Sequence, residues 1–222
     1  MPAKEYAVIV AGGSGIRMNS EIPKQFIPIR GLPILMHSIR AFFDYSPDLI
    51  IVVVLPDKLH EGWRRLCEKY RFNLPITLVK GGKTRFQSVK NGLNAIGQEG
   101  LVAIHDGVRP LVDKAIIGAS FQLAALHGCA ITAVRLKESI RITDKDQTRT
   151  VDRSKYRIIQ TPQTFQIPVI KKAYEQIENP SFTDDASVAE KAGYRISLFE
   201  GSYRNIKITT PEDLLMAEAL LK

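Results

Sequence analysis

The residues best suited to chemistry stand together early in the chain, as Ala11-Gly12-Gly13-Ser14-Gly15-Ile16-Arg17-Met18 followed by Lys24 in a Pro23-Lys24-Gln25 step. They lie directly behind the apolar run Tyr6 to Val10. Glycines let backbone N–H groups approach an anion without interference from Cβ, while Arg17 and Lys24 add full positive charges. This is the pattern of a phosphate-binding loop with two cations, and it points to a nucleotide substrate. Two commoner glycine loops do not fit. A dinucleotide fingerprint needs a third glycine where Met18 stands, and a P-loop ending at Gly82-Lys83-Thr84 needs a glycine where Thr77 stands.

Other segments add chemically apt groups. In His105-Asp106-Gly107-Val108-Arg109-Pro110, Asp106 is the best metal-ligand candidate, because Mg²⁺ is satisfied by one or two carboxylates plus phosphate oxygens and water. His105 has no second histidine at metal spacing and reads as a packing or hydrogen-bonding residue. Gly81-Gly82-Lys83-Thr84-Arg85-Phe86-Gln87-Ser88 reads as a nucleoside-recognition loop, with Ser88 suited either to that task or to capping a helix. Gln160-Thr161-Pro162-Gln163-Thr164-Phe165 and Thr183-Asp184-Asp185-Ala186-Ser187 place hydroxyls and carboxylates ahead of expected helices, where caps belong. Lys207 falls on a short alternating segment beside Asn205.

A Ser-His-Asp ordering, a reactive-cysteine setting, an H-E-x-x-H motif and paired catalytic carboxylates are all missing from the sequence. The chemistry needs none of them if the nucleophile is itself a phosphate. A phosphate monoester has a second pKa of about 6 and is already a dianion at neutral pH. The obstacle is repulsion between anions, which lysines, arginines, backbone N–H groups and Mg²⁺ relieve.

The elements that must position these groups follow an α/β pattern. Apolar strand candidates Tyr6–Val10, Ile50–Leu55, Ile76–Val79, Leu101–Ile104 and Ala130–Val134 alternate with amphipathic stretches. Runs such as Ile50-Ile51-Val52-Val53-Val54-Leu55 are apolar on both faces, as in a largely parallel sheet covered by helices on two sides. Ligands in such sheets sit beyond the carboxyl ends of strands, which gathers the loops after Val10, Val79 and Ile104. Residues 138–157 break the pattern with an alternating segment, a polar turn at Asp144-Lys145-Asp146-Gln147 and a second alternating segment. An isolated hairpin is marginal in water, so this arm is expected to pack on a second subunit.

Composition bounds the rest. At 222 residues a single domain spanning 1–222 is expected. The net charge of +8 is dispersed, without basic residues interleaved with aromatics, which favours small anionic substrates over nucleic acid. Cys67 and Cys129 show neither metal nor disulfide spacing, and no apolar run is long enough to span a membrane. A cytoplasmic protein without membrane or nucleic-acid partners is expected.

Together the motifs resemble, in order along almost the whole chain, those of the 2-C-methyl-D-erythritol 4-phosphate cytidylyltransferase family of isoprenoid precursor synthesis. The resemblance rests on the first glycine loop, Pro23-Lys24-Gln25, Gly81-Gly82-x-x-Arg85-x-x-Ser88-Val89, His105-Asp106-x-x-Arg109-Pro110, Thr150-Val151-Asp152-Arg153, Thr161-Pro162-Gln163, Thr183-Asp184-Asp185-Ala186-Ser187 and Asn205-Ile206-Lys207. It implies a Rossmann-like three-layer sandwich, a homodimer joined by β-arms, and Mg²⁺-dependent transfer of CMP from CTP to a polyol phosphate with release of pyrophosphate. By the same resemblance Arg17, Lys24, Arg153 and Lys207 form the catalytic set, with Arg153 reaching over from the partner's arm. Ala11, Gly12, Gly13, Gly15, Gly81, Gly82 and Ser88 hold CTP; Arg109, Ser139, Thr161 and Thr183 contact the acceptor; Asp106 sits at the metal. Gly107-Val108 stands where the family usually has Ala-Ala, Lys83 replaces an acidic residue, and Glu138-Ser139-Ile140-Arg141 replaces Asp-Thr-[IM]-Lys. The alternatives are a ribitol-5-phosphate cytidylyltransferase, whose substrate is also a polyol phosphate, and a noncatalytic nucleotide-binding module.

Overall fold

The computed structural model describes residues 3–13 and 22–221. In chain order it contains β1 (Glu5–Val10), the short β2 (Pro28–Ile29) and β3 (Leu32–Pro33), α1 (Ile34–Tyr45), β4 (Ile50–Leu55), α2 (His60–Tyr70), β5 (Ile76–Lys80), α3 (Arg85–Asn94) and β6 (Leu101–Asp106). Then come α4 (Lys114–His127), β7 (Cys129–Arg135), the hairpin β8 (Arg141–Asp144) and β9 (Gln147–Thr150), β10 (Arg157–Gln166), α5 (Ile167–Ala173), α6 (Asp185–Lys191), β11 (Leu198–Glu200) and α7 (Pro211–Leu220). All five expected strands are present.

Seven strands form one sheet in the order β11-β7-β10-β6-β1-β4-β5. Neighbours pair in parallel except β10, which runs antiparallel to both β6 and β7. Alternation along β1 shows why the sheet is covered twice. Ala7 and Ile9 enter one core with Leu35, Met36, Ile39, Trp63, Ile117 and Phe121, from α1, α2 and α4. Tyr6, Val8 and Val10 enter the other with Phe86, Val89, Ile170 and Ala189, from α3, α5 and α6. A two-residue period on a strand sends neighbouring side chains to opposite faces, so apolar residues at every position require a layer on each side.

From β1 the chain builds outward to β4 and β5 and then returns to β6 on the other side of β1. This reversal opens a crevice beyond the carboxyl ends of β1 and β6, where Val10 and Asp106 are register partners.

Three segments differ from expectation. Thr161-Pro162-Gln163-Thr164 does not precede a helix as a cap but lies within β10. A proline removes a ladder donor, and here Pro162 sits where the register with β7 shifts between Ile159 and Gln163. The arm is a hairpin as expected, with every residue of β8 and β9 exposed, but it is shorter than 138–157. Arg157 already belongs to β10 in the main sheet. Lys207 lies in irregular backbone rather than on a strand.

Candidate active site

The crevice holds a cavity of about 210 Å³ lined by residues from five segments: Val10 to Gly13, Lys24-Gln25, Gly82 to Arg85 with Ser88, Asp106 with Val108, and Lys207. Each segment has a local reason for its place. Ala11 continues the sheet by donating its N–H to the Val54 carbonyl at 2.9 Å. Gly12 and Gly13 follow it and are exposed, and neither donates its N–H to another described residue. Lys24 opens a 3-10 turn, Lys24–Phe26, that packs through Phe26 against Trp63. The Gln25 amide donates to the Ala11 carbonyl at 2.8 Å and thereby pins this turn to the glycine loop. Lys24 is consequently a buried lysine at the cavity wall.

Asp106 is the electrostatic centre. Its Oδ2 meets Lys207 Nζ at 3.0 Å and Arg109 Nε at 3.4 Å, and its Oδ1 faces Arg85 Nε at 3.8 Å. Burial alone would raise the Asp106 carboxyl, but Arg85, Lys207 and Arg109 hold it well below the usual carboxylate range. Arg109 is fixed in turn by donating to the Asn205 carbonyl at 2.8 Å. Asn205 donates its amide to the Thr161 carbonyl at 2.8 Å, which holds the segment carrying Lys207 against β10.

Behind Asp106, burial pushes the His105 imidazole down to about 4, so it is neutral at physiological pH. Its Nε2 lies 3.1 Å from the Arg109 carbonyl, which can only accept, so this nitrogen carries the proton. Nδ1 then accepts from the Thr161 hydroxyl at 3.1 Å, and the same oxygen accepts the Asp106 N–H at 3.0 Å. Thr161 therefore directs its hydroxyl at the turn that presents Asp106. Thr161→Val is expected to cost about 1–3 kcal/mol in urea denaturation, because it strips a buried N–H and imidazole of their partners, with most of the loss restored by Thr161→Ser.

The second glycine loop is tied inward. Gly81 N–H donates to the Leu55 carbonyl at 2.8 Å, Gly82 N–H to Ser88 Oγ at 3.1 Å and Lys83 N–H to Gln87 Oε1 at 3.0 Å. A Cβ on Gly82 would meet Gln87 Cβ at 2.3 Å, so glycine is needed for this close approach. The loop thus offers its carbonyls and walls to a ligand rather than these N–H groups. Thr84, and not Ser88, caps α3. The departure at Gly107 also has a local cause: a Cβ there would lie 2.8 Å from Leu35 Cδ1 and 2.9 Å from Ala11 Cβ.

The fold thus brings Ala11, Gly12, Gly13, Lys24, Gly82, Ser88, Asp106 and Lys207 to one cavity. Gly81 and Arg109 lie immediately beside it, Arg109 through Asp106. Thr161 is one layer behind, and Thr183 and Ser139 are exposed outside the lining. Arg153 donates to the Lys137 carbonyl at the base of its own arm. Gly15 and Arg17 lie outside the described residues. Sequence reasoning gave no role to Arg85, whose guanidinium is paired with buried Asp185. Arg85 sits one position after an N-cap in a glycine loop and Asp185 stands in the Thr183 to Ser187 motif, but nothing in the sequence pairs two residues 100 positions apart.

Comparison with known proteins agrees with this geometry. The family model for 2-C-methyl-D-erythritol 4-phosphate cytidylyltransferase (IspD) matches residues 6–222. Proteins of that name from Bacteroides thetaiotaomicron and Porphyromonas gingivalis are each 46% identical to this chain, over 218 and 222 residues. The first match covers 98% of this chain and 100% of the relative, the second 100% and 99%. The crystal structure of 4-diphosphocytidyl-2C-methyl-D-erythritol synthase from Anaerococcus prevotii aligns with a TM-score of 0.83 at 29% identity, covering 99% of this chain and 96% of that one. A glycine loop, a buried lysine and a cation-ringed aspartate at the switch point of the sheet, in a chain matched from end to end, place it in one group: the chain belongs to the 2-C-methyl-D-erythritol 4-phosphate cytidylyltransferase family.

Proposed function

We infer that this chain transfers CMP from CTP to 2-C-methyl-D-erythritol 4-phosphate, forming 4-diphosphocytidyl-2-C-methyl-D-erythritol and releasing pyrophosphate. The observation that carries this reading is the convergence of Gly12, Gly13, Lys24 and Lys207 on one cavity around Asp106. An oxygen of the acceptor phosphate attacks the α-phosphorus of CTP, and the bond from that phosphorus to the bridging oxygen breaks. The acceptor is a dianion at neutral pH, so no general base is required. The Gly12 and Gly13 N–H groups and the Lys24 ammonium oppose charge on the triphosphate, and Lys207 draws the acceptor phosphate toward the same point. By family resemblance, Arg17 joins Lys24.

The residues present fit Mg²⁺ of the substrate-borne kind. Among the described residues no group of three or more His, Cys, Asp or Glu could hold a metal alone. Asp106 offers one carboxylate, with Oδ1 less engaged than Oδ2, which suffices when triphosphate oxygens complete the shell. When bound, the ion would neutralise phosphate charge.

The enzyme acts as a homodimer through the β8–β9 arm, and by the family resemblance Arg153, just beyond β9, reaches over toward a partner's cavity. Exposed Ile142, Tyr156 and Ile158 on and beside the arm supply apolar surface for that contact. Sedimentation is expected to give twice the 24.8 kDa chain mass, and a monomer would overturn the arm's role. No helix among the described residues is long and apolar enough to cross a membrane. With Cys67 and Cys129 both free, the cytoplasm suits the enzyme.

Pyrophosphate release measured with CTP and either methylerythritol phosphate or ribitol 5-phosphate tests the assignment. Release with the first acceptor is expected. Release only with the second would transfer the chain to the related activity, and binding of CTP without release would make it a noncatalytic module.

A further inference from the structure

Arg85 lines the cavity, yet both of its terminal nitrogens are committed behind it. They fork onto Asp185, with Nη1 2.8 Å from Oδ1 and Nη2 2.6 Å from Oδ2. Asp185 is fully buried at the start of α6, and its Oδ1 also accepts the Tyr174 hydroxyl at 2.6 Å. Only Nε of Arg85 remains for Asp106, facing Oδ1 at 3.8 Å. That separation neutralises the carboxylate without a hydrogen bond, and it leaves Oδ1 more open than Oδ2, which Lys207 and Arg109 occupy.

We propose that Tyr174, Asp185 and Arg85 are positioning residues for the transfer: Asp185 restrains the Arg85 guanidinium so that it faces Asp106 without capturing Oδ1, and Tyr174 orients Asp185. The inference rests on the cytidylyltransferase reading. Bidentate Arg–carboxylate pairs fix direction as well as charge, and removing one partner of a buried pair leaves the other uncompensated. A guanidinium released from Asp185 has Asp106 Oδ1 as its nearest alternative. Adhesion alone does not require this pair at the cavity, because α3, the end of α5 and the loop before α6 are already joined by the Phe86 ring stacked on Tyr174 and Phe182. The same restraint couples the acceptor-side segment, Thr183 to Asp185, to the floor of the nucleotide site. Gln163 holds that segment from β10, donating to Asp184 Oδ2 and accepting the Ala186 N–H, each at 2.8 Å.

The test compares Tyr174→Phe, Arg85→Lys and the double variant by three measurements: kcat per folded enzyme, CTP affinity by calorimetry without acceptor, and melting temperature. Outer-shell partners of this kind typically carry about 10–100-fold in activity, which is the kcat loss expected for Arg85→Lys, with about 3–10-fold for Tyr174→Phe. CTP affinity is expected to stay within about threefold, and the double variant to be no slower than Arg85→Lys, since effects along one chain of contacts are not additive. Independent, multiplicative losses would overturn the proposal, as would unchanged kcat per folded enzyme in variants that merely melt earlier. Should Arg85→Lys fail to fold, Tyr174→Phe decides alone: reduced kcat at unaltered CTP affinity supports the relay, and unaltered kcat overturns it. Wild-type enzyme that released no pyrophosphate would overturn the activity itself and the relay with it.

Discussion

Lys24→Ala lowers turnover by about two to three orders of magnitude while leaving the fold intact, the scale expected for losing a preorganised donor to a charged transition state. Lys24 is buried at the cavity wall in a turn whose position is set by its neighbours, through the Gln25 hydrogen bond to Ala11 and the contact of Phe26 with Trp63. Truncating the side chain at 24 removes a charge and leaves the Gln25 hydrogen bond and the Phe26–Trp63 contact in place to hold the turn. On the proposed reading, an ammonium at this wall of the cavity would stabilise charge accumulating on the α-phosphate more than charge already spread over the bound substrate. The loss is expected mainly in kcat of the pyrophosphate assay, with an unchanged circular dichroism spectrum. A loss below about tenfold would remove Lys24 from the transition state and leave it a binding residue.

The sequence displayed the sheet and the cavity floor because both depend on local pattern. Tyr6–Val10 and Ile50–Leu55 are apolar at every position, and that alone requires helices on two faces. Glycines followed by cations announce an anion site wherever they stand. Strand β10 stayed hidden because Pro162 interrupts it, and proline argues against a central strand unless the ladder is already broken there. From its residues alone the Thr161 segment reads as a helix cap, and only the family resemblance gives Thr161 to the acceptor; in the fold its oxygen serves His105 and Asp106. The Arg85–Asp185 pair and the Asn205 bonds to Arg109 and Thr161 join residues 44 to 100 positions apart. Only the assembled fold brings residues so far apart in the chain together, and no periodicity encodes it.

Asp106→Asn carries the second large effect, at least about 100-fold in turnover, because it keeps the shape of the side chain and deletes the charge around which the site is organised. Arg85, Arg109 and Lys207 all approach this one carboxylate. With an amide in its place their mutual repulsion is unscreened, and Lys207 loses the carboxylate it meets at 3.0 Å. The same substitution has a signature in stability that does not depend on turnover. Burial opposes ionisation of Asp106, but the three cations prevail and its carboxyl in the folded protein lies below the unfolded value of about 3.9. A depressed carboxyl contributes stability that is fully present above the unfolded pKa and is lost as pH falls through the folded one. Wild type should therefore exceed Asp106→Asn in urea denaturation from neutral pH down to about 4, and the gap should narrow at more acid pH as the carboxyl of the unfolded chain takes up a proton that the folded one still refuses. A gap that stayed constant from pH about 7 to about 2.5 would show that the cations do not depend on the charge of Asp106, and the electrostatic account of the site would fail with it.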